Sequence, residues 1–354
     1  MQIRIRHVAA VLGTAACLSI GSAAAKTFNL TFAAPQGEHM PWISLTRTAF
    51  IAGVDKRLEG TEHKISWTTA YGGTLSKVGG TLEVIEEGIA DSGMLYSLFE
   101  QAKLPLQNVA YMAPFGSDDL GLALRIFHEL HEEMPEMSGS WEKHGQVFLA
   151  PIGFDTFYPL TKFPINSLED LKGRKLAGAG AVSLWEAPIG IVPVQGNFAV
   201  HFNNLKTGVY DGLIAFTTGY YPNKLHEIAR FATKVNFGAM PGGGVTVNKS
   251  VWGKLPGAVR KAMREAGVDY RNAQHEKMTG LVDTFEAKMK AEGVVFSQMP
   301  LDQKLAWAKA MPNIAKEWAA RVEAKGFAGN KVLKAYMDKL RANKVPLVRE
   351  WDKE

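Results

Sequence analysis

Cysteine is almost absent from this sequence of 354 residues, and the single one, Cys17, lies near the N-terminus. It falls inside the apolar run 8–20, which follows the cationic residues Arg4 and Arg6 and precedes three consecutive alanines. This arrangement is typical of an export signal that is cleaved after a small residue. We therefore predict that residues 1–25 are removed, and a mature chain without thiols can form neither disulfides nor cysteine-ligated metal sites.

Long hydrophobic runs are also missing. The apolar run 8–20 is too short to span a bilayer, and no later stretch reaches the roughly 18 uncharged residues of a membrane helix. A lipid anchor on Cys17 is disfavoured, because Thr14 stands where lipoprotein signals usually carry an aliphatic residue. The sequence thus predicts an exported chain without a membrane anchor.

An excess of one charge sign is missing too. The chain has 40 Lys and Arg against 35 Asp and Glu, a formal net charge of +5. The basic residues are spread along the chain rather than clustered, so the charge pattern does not indicate a nucleic-acid partner.

Motifs for phosphates, metals and nucleophiles are absent or incomplete. The segment 178–183 lacks the third glycine of a dinucleotide loop, and 243–250 ends in Asn-Lys-Ser where a phosphate loop needs Gly-Lys-Ser. His128 and His131 are three residues apart, whereas the zinc-protease helix needs four, so we predict a solvated helix face there. No Gly-x-Ser-x-Gly elbow occurs. We predict no catalytic residues, no metal and no cofactor.

The sequence contains enough hydrophobic residues for more than one hydrophobic core. It has 46% hydrophobic residues, and its length exceeds what one compact core usually holds, so we predict two lobes. Strand-like segments at 28–33, 64–70 and 146–154 alternate with helical ones such as 42–58, which predicts an α/β fold with parallel βαβ units. Ligands of such sheets lie beyond the carboxyl ends of the strands. The loops expected to form pocket walls are 35–41, 71–74 and 92–97.

The order of the segments predicts a chain that crosses between the lobes more than once. The run of helical periodicity from Pro256 to about Glu292 predicts one long helix. The predicted divisions are a signal peptide at 1–25, lobe I at 26–145, lobe II at 146–237, a return to lobe I with a spanning helix at 238–290, and C-terminal helices packing mainly on lobe II at 291–354.

Several motifs together resemble one transport family. Tyr-Gly-Gly-Thr-Leu at 71–75 precedes a helical segment that ends in Gly-Ile-Ala-Asp at 88–91, and Pro-Ile at 164–165 precedes Asp-Leu-Lys-Gly-Arg-Lys-Leu at 170–176. The most specific motif is Leu-Lys-Thr-Gly-Val-Tyr-Asp-Gly at 205–212. Their order and spacing resemble the solute-binding proteins of tripartite ATP-independent periplasmic (TRAP) transporters over nearly the whole mature chain.

The resemblance implies a two-lobe periplasmic binding protein fold with crossing strands and one long helix spanning both lobes. It implies a location in the periplasm and delivery of a captured molecule to the two membrane permease subunits of such a transporter. Because an ion gradient drives this transport, no ATP site is implied. We further expect a monomer that closes by hinge bending when a ligand binds.

Candidate ligand-contacting residues lie on or beside the predicted strand-to-loop transitions. Most are aromatic, and a few polar side chains could supply hydrogen bonds. Any single aromatic residue among them could instead belong to a core, because aromatic side chains dominate cores. The candidates are Gln36, His39, Trp42, Tyr71, Tyr96, Phe154, Thr156, Phe157, Ala177, Trp185, Phe198, Ala215, Phe216, Thr217 and Tyr220.

Two positions depart from the family pattern that the motifs imply. Members typically carry an arginine that pairs with a substrate carboxylate where this chain has Ala177, and an asparagine where it has Ala215. A buried carboxylate without such a partner is costly. We therefore predict that small dicarboxylates such as succinate or malate bind poorly, and that the ligand is larger, flatter or less charged. The alternative is that Lys175 or His201 replaces the arginine.

The favoured function is the capture of a small organic molecule for a TRAP-type secondary transporter. Two other functions stay open at this point. A ligand sensor would present its closed form to a receptor instead of a permease, and an enzyme could use dispersed catalytic residues on the same two-lobe scaffold.

Overall fold

The computed structural model describes residues 26–354, and the predicted export signal with Cys17 lies outside these residues. No helix of the described part is long and apolar enough to cross a membrane. The strands are β1 (Lys26–Ala33), β2 (His63–Ala70), β3 (Ser92–Leu95), β4 (Gln146–Phe154), β5 (Phe157–Thr161), β6 (Lys175–Gly178), β7 (Val192–Gln195), β8 (Gly212–Phe216), β9 (Phe231–Lys234), β10 (Met240–Asn248) and β11 (Val295–Gln298).

The helices alternate with these strands and cover both sheets. A π-helical turn, Thr46–Ile51, joins the first two of them. The helices are α1 (Pro41–Leu45), α2 (Ala52–Leu58), α3 (Thr81–Glu86), α4 (Val109–Met112), α5 (Leu120–Glu133), α6 (Pro135–Glu142), α7 (Ser183–Glu186), α8 (Phe198–Thr207), α9 (Thr217–Tyr220), α10 (Lys249–Lys254), α11 (Gly257–Ala291), α12 (Leu301–Ala310), α13 (Ile314–Glu323) and α14 (Gly329–Ala342).

Two sheets confirm the predicted two-lobe α/β fold. The first has the order β2-β1-β3-β10-β4, and the second has the order β11-β9-β5-β8-β6-β7. In each sheet one strand runs against the others, β10 in the first and β5 in the second. Both reversed strands directly follow a crossing of the chain from the other lobe. The carboxyl ends of the remaining strands therefore face each other across the space between the lobes, where ligands of such sheets bind.

The first crossing lies later in the chain than the sequence predicts. The segment 146–154 is strand β4, which pairs with β10 in the first sheet. The chain changes lobe at Asp155 and Thr156, so lobe II begins there and not at residue 146. The sequence reveals a strand at this place, but its pairing partner β10 lies almost 90 residues further on.

The connections between the lobes are hydrogen-bonded to each other. The Phe157 N–H donates to the Gly238 carbonyl at 3.2 Å, and the Phe237 N–H donates to the Phe157 carbonyl at 3.1 Å. A third segment joins them, since the Phe115 N–H donates to the Phe237 carbonyl at 2.6 Å. We call these three adjacent segments, which meet where the chain passes between the lobes, the hinge.

Helix α11 spans both lobes, as the resemblance to the transport family implies. Its 35 residues correspond to roughly 50 Å. In lobe I, Gln274 bonds both the Gly153 N–H and the Pro151 carbonyl of β4, at 3.1 and 2.9 Å. At its other end, Glu286 forms an ion pair with Lys234 of lobe II.

The C-terminal helices divide between the lobes, which corrects the expectation that they pack mainly on lobe II. Strand β11 joins the second sheet, and the indole of Trp307 in α12 donates to the Trp185 carbonyl at 2.7 Å. Helix α14 instead lies on lobe I, where Lys339 contacts Glu129 and Glu133 of α5, each at 2.9 Å. Amphipathic periodicity identifies such helices but does not indicate which lobe their apolar faces cover.

Candidate functional site

A cavity with a volume of about 50 Å³ lies between the facing edges of the two sheets. Both lobes contribute to its lining, and most of the lining is aromatic or aliphatic. Lobe I provides Gln36, Trp42, Val78, Tyr96, Leu98, Phe99, Tyr111 and Phe154, and lobe II provides Phe157, Ala179, Asn197, Phe198, His201, Ile214, Ala215 and Phe216.

On the lobe I side, a chain of hydrogen bonds fixes three of the lining residues. The Trp42 indole donates to the Tyr96 hydroxyl at 2.7 Å, and that hydroxyl donates in turn to Gln36 Oε1. The Trp42 backbone is held by the spanning helix, because the Tyr270 hydroxyl donates to its carbonyl at 2.9 Å. Burial raises the pKa of Tyr96, so its hydroxyl keeps its proton at neutral pH.

Aromatic side chains from the two lobes meet at the cavity. Phe154 at the end of β4 stacks on Phe216 at the end of β8, with ring centroids 4.6 Å apart and an interplanar angle of 11°. Trp42 lies edge-on to both rings, at 5.1 and 5.7 Å. On the lobe II side, Phe198 packs edge-on against Phe216 at 5.5 Å. The lobes therefore contact each other through these rings at the cavity.

Among the described residues, His201 is the only His, Lys or Arg that lines the cavity. Its Nδ1 lies 2.7 Å from the Tyr210 hydroxyl, and the imidazole is 3% exposed. Burial lowers its pKa to about 4, because the charged form loses its hydration. His201 is therefore neutral at neutral pH in the ligand-free protein.

The described lining contains no Lys, Arg, Asp or Glu. Arg174 lies over the Phe163 ring, with the guanidinium carbon 4.3 Å from the ring centroid. Lys175 is exposed and outside the lining. Ala215 borders the cavity, whereas Ala177 is fully buried in β6 between Val194 and Leu213. The two alanines thus leave the site without the charged and amide groups of the family pattern.

Eight of the fifteen candidate residues lie together around the cavity, and the other seven lie elsewhere. His39 is exposed in its loop. The Tyr71 hydroxyl lies 2.8 Å from Thr46 Oγ1, and the Tyr220 hydroxyl accepts the Ala215 N–H at 2.6 Å inside lobe II. The residues brought together are Gln36, Trp42, Tyr96, Phe154, Phe157, Phe198, Ala215 and Phe216.

Thr156 lies in the hinge and Thr217 lies beside it, and neither residue lines the cavity. Thr156 donates to Asp118, and Gly238 N–H donates to Thr156 Oγ1 at 3.2 Å. Thr217 N–H donates to the buried Asp155 at 2.8 Å, and burial raises the pKa of this carboxyl to about 6. These contacts hold the start of α9 against the first crossing.

Trp185 forms the wall behind the lining instead of the lining itself. Its indole donates across the lobes to the Tyr111 carbonyl at 2.9 Å, and its ring stacks on Tyr111 with centroids 6.1 Å apart and planes 17° apart. Tyr111 and Asn197 line the cavity, although neither is among the sequence-predicted residues. Tyr111 lies in the short helix α4, away from the strand-to-loop transitions that guided the prediction.

The histidine pair His128 and His131 is buried, which corrects the prediction of a solvated helix face. His131 contacts Gln107 Oε1 at 2.7 Å and receives the Trp141 indole N–H at 3.0 Å. Its ring stacks on Phe148 at 3.7 Å. Burial lowers the pKa of His128 to about 4 and that of His131 to about 3. Over residues 26–354 no group of metal-ligating side chains comes together.

Two α/β lobes that are joined by crossing segments and share an apolar cavity between them define the class of two-lobe solute-binding proteins. The chain belongs to the bacterial extracellular solute-binding protein family 7, whose DctP sequence profile matches residues 49–321. This match confirms the resemblance to TRAP solute-binding proteins and the expected place of the chain among proteins that work outside the cytoplasm.

One curated relative matches part of the chain in sequence. The C4-dicarboxylate-binding periplasmic protein DctP of Rhodobacter capsulatus is 31% identical over 181 residues. The alignment takes in 49% of this chain and 52% of the relative, so the chain spans about half the length of the curated relative it matches.

Solved structures match over most of their length. DctP6, an extracytoplasmic solute receptor of Bordetella pertussis that binds pyroglutamic acid, has a TM-score of 0.76 at 16% identity, covering 89% of this chain and 100% of that one. The periplasmic ectoine-binding protein of the TeaABC TRAP transporter of Halomonas elongata has a TM-score of 0.75 at 18% identity, with the same coverage. At these identities the likeness shows the fold.

Proposed function

We propose that this protein captures a small organic molecule in the periplasm, acting as a monomer without catalysis, and delivers it to the permease subunits of a TRAP-type transporter. The observation that carries the proposal is the cavity lined by residues of both lobes. A site between two lobes opens when they separate and loses its water when they close, which suits cycles of capture and release. Family membership supports the permease as the receiver of the loaded form.

We further propose that the ligand is not a small dicarboxylate. The described lining offers a neutral imidazole and aromatic rings but no cation. A carboxylate buried there would lose its hydration without gaining a charged partner, a penalty of several kcal/mol. The Rhodobacter relative is named for C4-dicarboxylates, but the residues that border the cavity of this chain favour a less charged molecule.

A thermal-shift screen of a metabolite library at pH 7 tests this function, with succinate and malate included as reference compounds. We expect at least one compound to raise the melting temperature, because binding to the folded state alone stabilises it. Succinate and malate should leave the melting temperature unchanged. A library without any stabilising compound contradicts capture of a small molecule. Micromolar binding of a four-carbon dicarboxylate, about −8 kcal/mol, contradicts the proposed ligand class.

A further inference from the structure

The hydroxyl of Tyr111 has no hydrogen-bond partner within residues 26–354, although it is buried and its residue lines the cavity. Its side chain cannot turn away to find one, because Trp185 stacks on the ring and Phe157 packs edge-on against it at 5.9 Å. Buried hydroxyl groups in proteins are almost always hydrogen-bonded. The orphaned hydroxyl therefore points to a partner that is supplied by the contents of the cavity.

The Tyr111 hydroxyl and the Phe154 ring pack closely against a glycine. A Cβ atom added to Gly242 in β10 would overlap Phe154 Cε2 and lie 3.1 Å from the Tyr111 hydroxyl. Any larger residue at this position would therefore force the Phe154 ring to shift.

The two amide side chains of the lining, those of Gln36 and Asn197, each have a hydrogen bond to their oxygen atom. The Trp42 indole can only donate, so the Tyr96 hydroxyl accepts from it and must direct its own proton to Gln36 Oε1. The free group of Gln36 is then its amide NH2.

Asn197 is arranged in the same way. The Ala199 N–H donates to Asn197 Oδ1 at 2.9 Å, which leaves the Asn197 amide NH2 free. Neither amide NH2 has a partner among the described residues. Together with the Tyr111 hydroxyl, the lining thus has three unpartnered donor groups, which favour acceptor atoms in the ligand. The Nε2 atom of His201 is also without a partner among the described residues, and the tautomer decides whether it donates or accepts.

The apolar walls favour a flat shape. The Phe154 and Phe216 rings lie nearly parallel to each other, and Trp42 lies edge-on to both. Aromatic rings arranged in offset stacks and edge-to-face contacts accept a further planar ring into the same pattern. The absence of charged side chains from the described lining favours a molecule without net charge.

We propose that the ligand is an uncharged molecule with a planar ring that carries carbonyl or ether oxygens, and that the Tyr111 hydroxyl donates a hydrogen bond to one of them. This inference rests on the proposed function and deepens it, because it names the chemical class and a residue that determines specificity.

The test begins with the compounds that stabilise the protein in the thermal-shift screen. Two matched pairs are added to the library: vanillin with vanillate, and 2-pyrrolidinone with pyroglutamate. Each pair keeps the ring and an acceptor oxygen but differs in the carboxylate. We expect the most stabilising compound to be an uncharged ring with acceptor oxygens, and each neutral member to bind more tightly than its carboxylate.

Calorimetric titration of that compound into variants completes the test. Tyr111→Phe removes the hydroxyl and keeps the ring, so affinity should fall about tenfold. Tyr336→Phe, which removes a hydroxyl outside the cavity lining, is the matched control and should leave affinity unchanged. Unaltered melting temperatures of both ligand-free variants would show that they fold.

Two outcomes overturn this inference while leaving the proposed function standing. One is a carboxylate as the most stabilising compound, and the other is equal affinity in Tyr111→Phe and the wild type. The absence of any stabilising compound would instead overturn the proposed function itself.

Discussion

Phe154 and Phe216 belong to different sheets, yet their rings stack with centroids 4.6 Å apart and planes 11° apart. Phe154 ends β4 just before the first crossing, and Phe216 ends β8 just before α9. The stack therefore joins the cavity lining to the hinge. Separation of the lobes would break the contact that Trp42 of lobe I makes with Phe216 of lobe II.

This arrangement predicts that Phe216→Leu weakens ligand binding. Leucine keeps most of the apolar volume but loses the aromatic contacts, which are worth about 0.5–1.5 kcal/mol for each pair. We expect a fall of about tenfold in affinity for the most stabilising compound of the screen, measured by calorimetry.

Phe127→Leu is the control for this substitution, since Phe127 is fully buried in lobe I and lies outside the cavity lining. It should lower the melting temperature without changing affinity. Equal affinities of Phe216→Leu and the wild type would contradict the role of the stacked rings.

The second prediction concerns pH and His201. Its pKa is about 4 in the folded protein and roughly 6.5 in the unfolded chain, so the unfolded state binds more protons between these values. The stabilising contribution of neutral His201 is thus present above about pH 6.5 and is lost as the pH falls towards 4, by about 1.4 kcal/mol per pH unit. Tyr210 contacts the imidazole, and burial raises its pKa to about 12, so it does not titrate in this window.

Urea unfolding at pH 7, 6 and 5 measures this effect by comparing the wild type with His201→Gln. The glutamine variant should be less stable at pH 7, and the gap between the two proteins should narrow as the pH falls. Parallel pH profiles of the two proteins would show that His201 is not held neutral by burial.

The third prediction concerns the C-terminal tail. Trp351 is 1% exposed, and its indole donates at 2.8 Å to the carbonyl of Pro114, next to the hinge segment. Trp351→Ala should lower the free energy of unfolding by about 3–5 kcal/mol, because it leaves a large cavity and an unpaired carbonyl. Lys353→Ala changes an exposed neighbour and should have almost no effect. Chemical denaturation of both variants measures these free energies of unfolding. A decrease of less than about 1 kcal/mol for Trp351→Ala would contradict a stabilising role of the C-terminal tail.

Local patterns in the sequence predict the elements well, because each depends on neighbouring residues. Pro256 and the helical periodicity after it predict α11, and apolar alternation predicts β1 and β2. The assignment of β4 to the first sheet depends on its pairing with β10, far along the chain, and no local pattern contains that information. The lobe that α14 covers is decided by contacts such as that of Lys339 with Glu129, and these residues are even further apart in sequence.

The site shows the same division between local and distant information. Residues at strand ends, such as Phe154 and Phe216, could be predicted because parallel strands direct their carboxyl ends to the ligand side. Tyr111 could not, because its position in the cavity follows from stacking on Trp185, which lies on the other lobe. A buried tyrosine in a short apolar helix has the sequence signature of an ordinary core residue.

The most direct test of the account is small-angle X-ray scattering of the mature protein with and without the most stabilising compound of the screen. Closure around a ligand desolvates the cavity and biases the equilibrium between open and closed forms by the ligand's differential affinity for the two. We predict a smaller radius of gyration at saturation than in the ligand-free protein. An unchanged radius of gyration at a concentration that raises the melting temperature would contradict capture between the lobes.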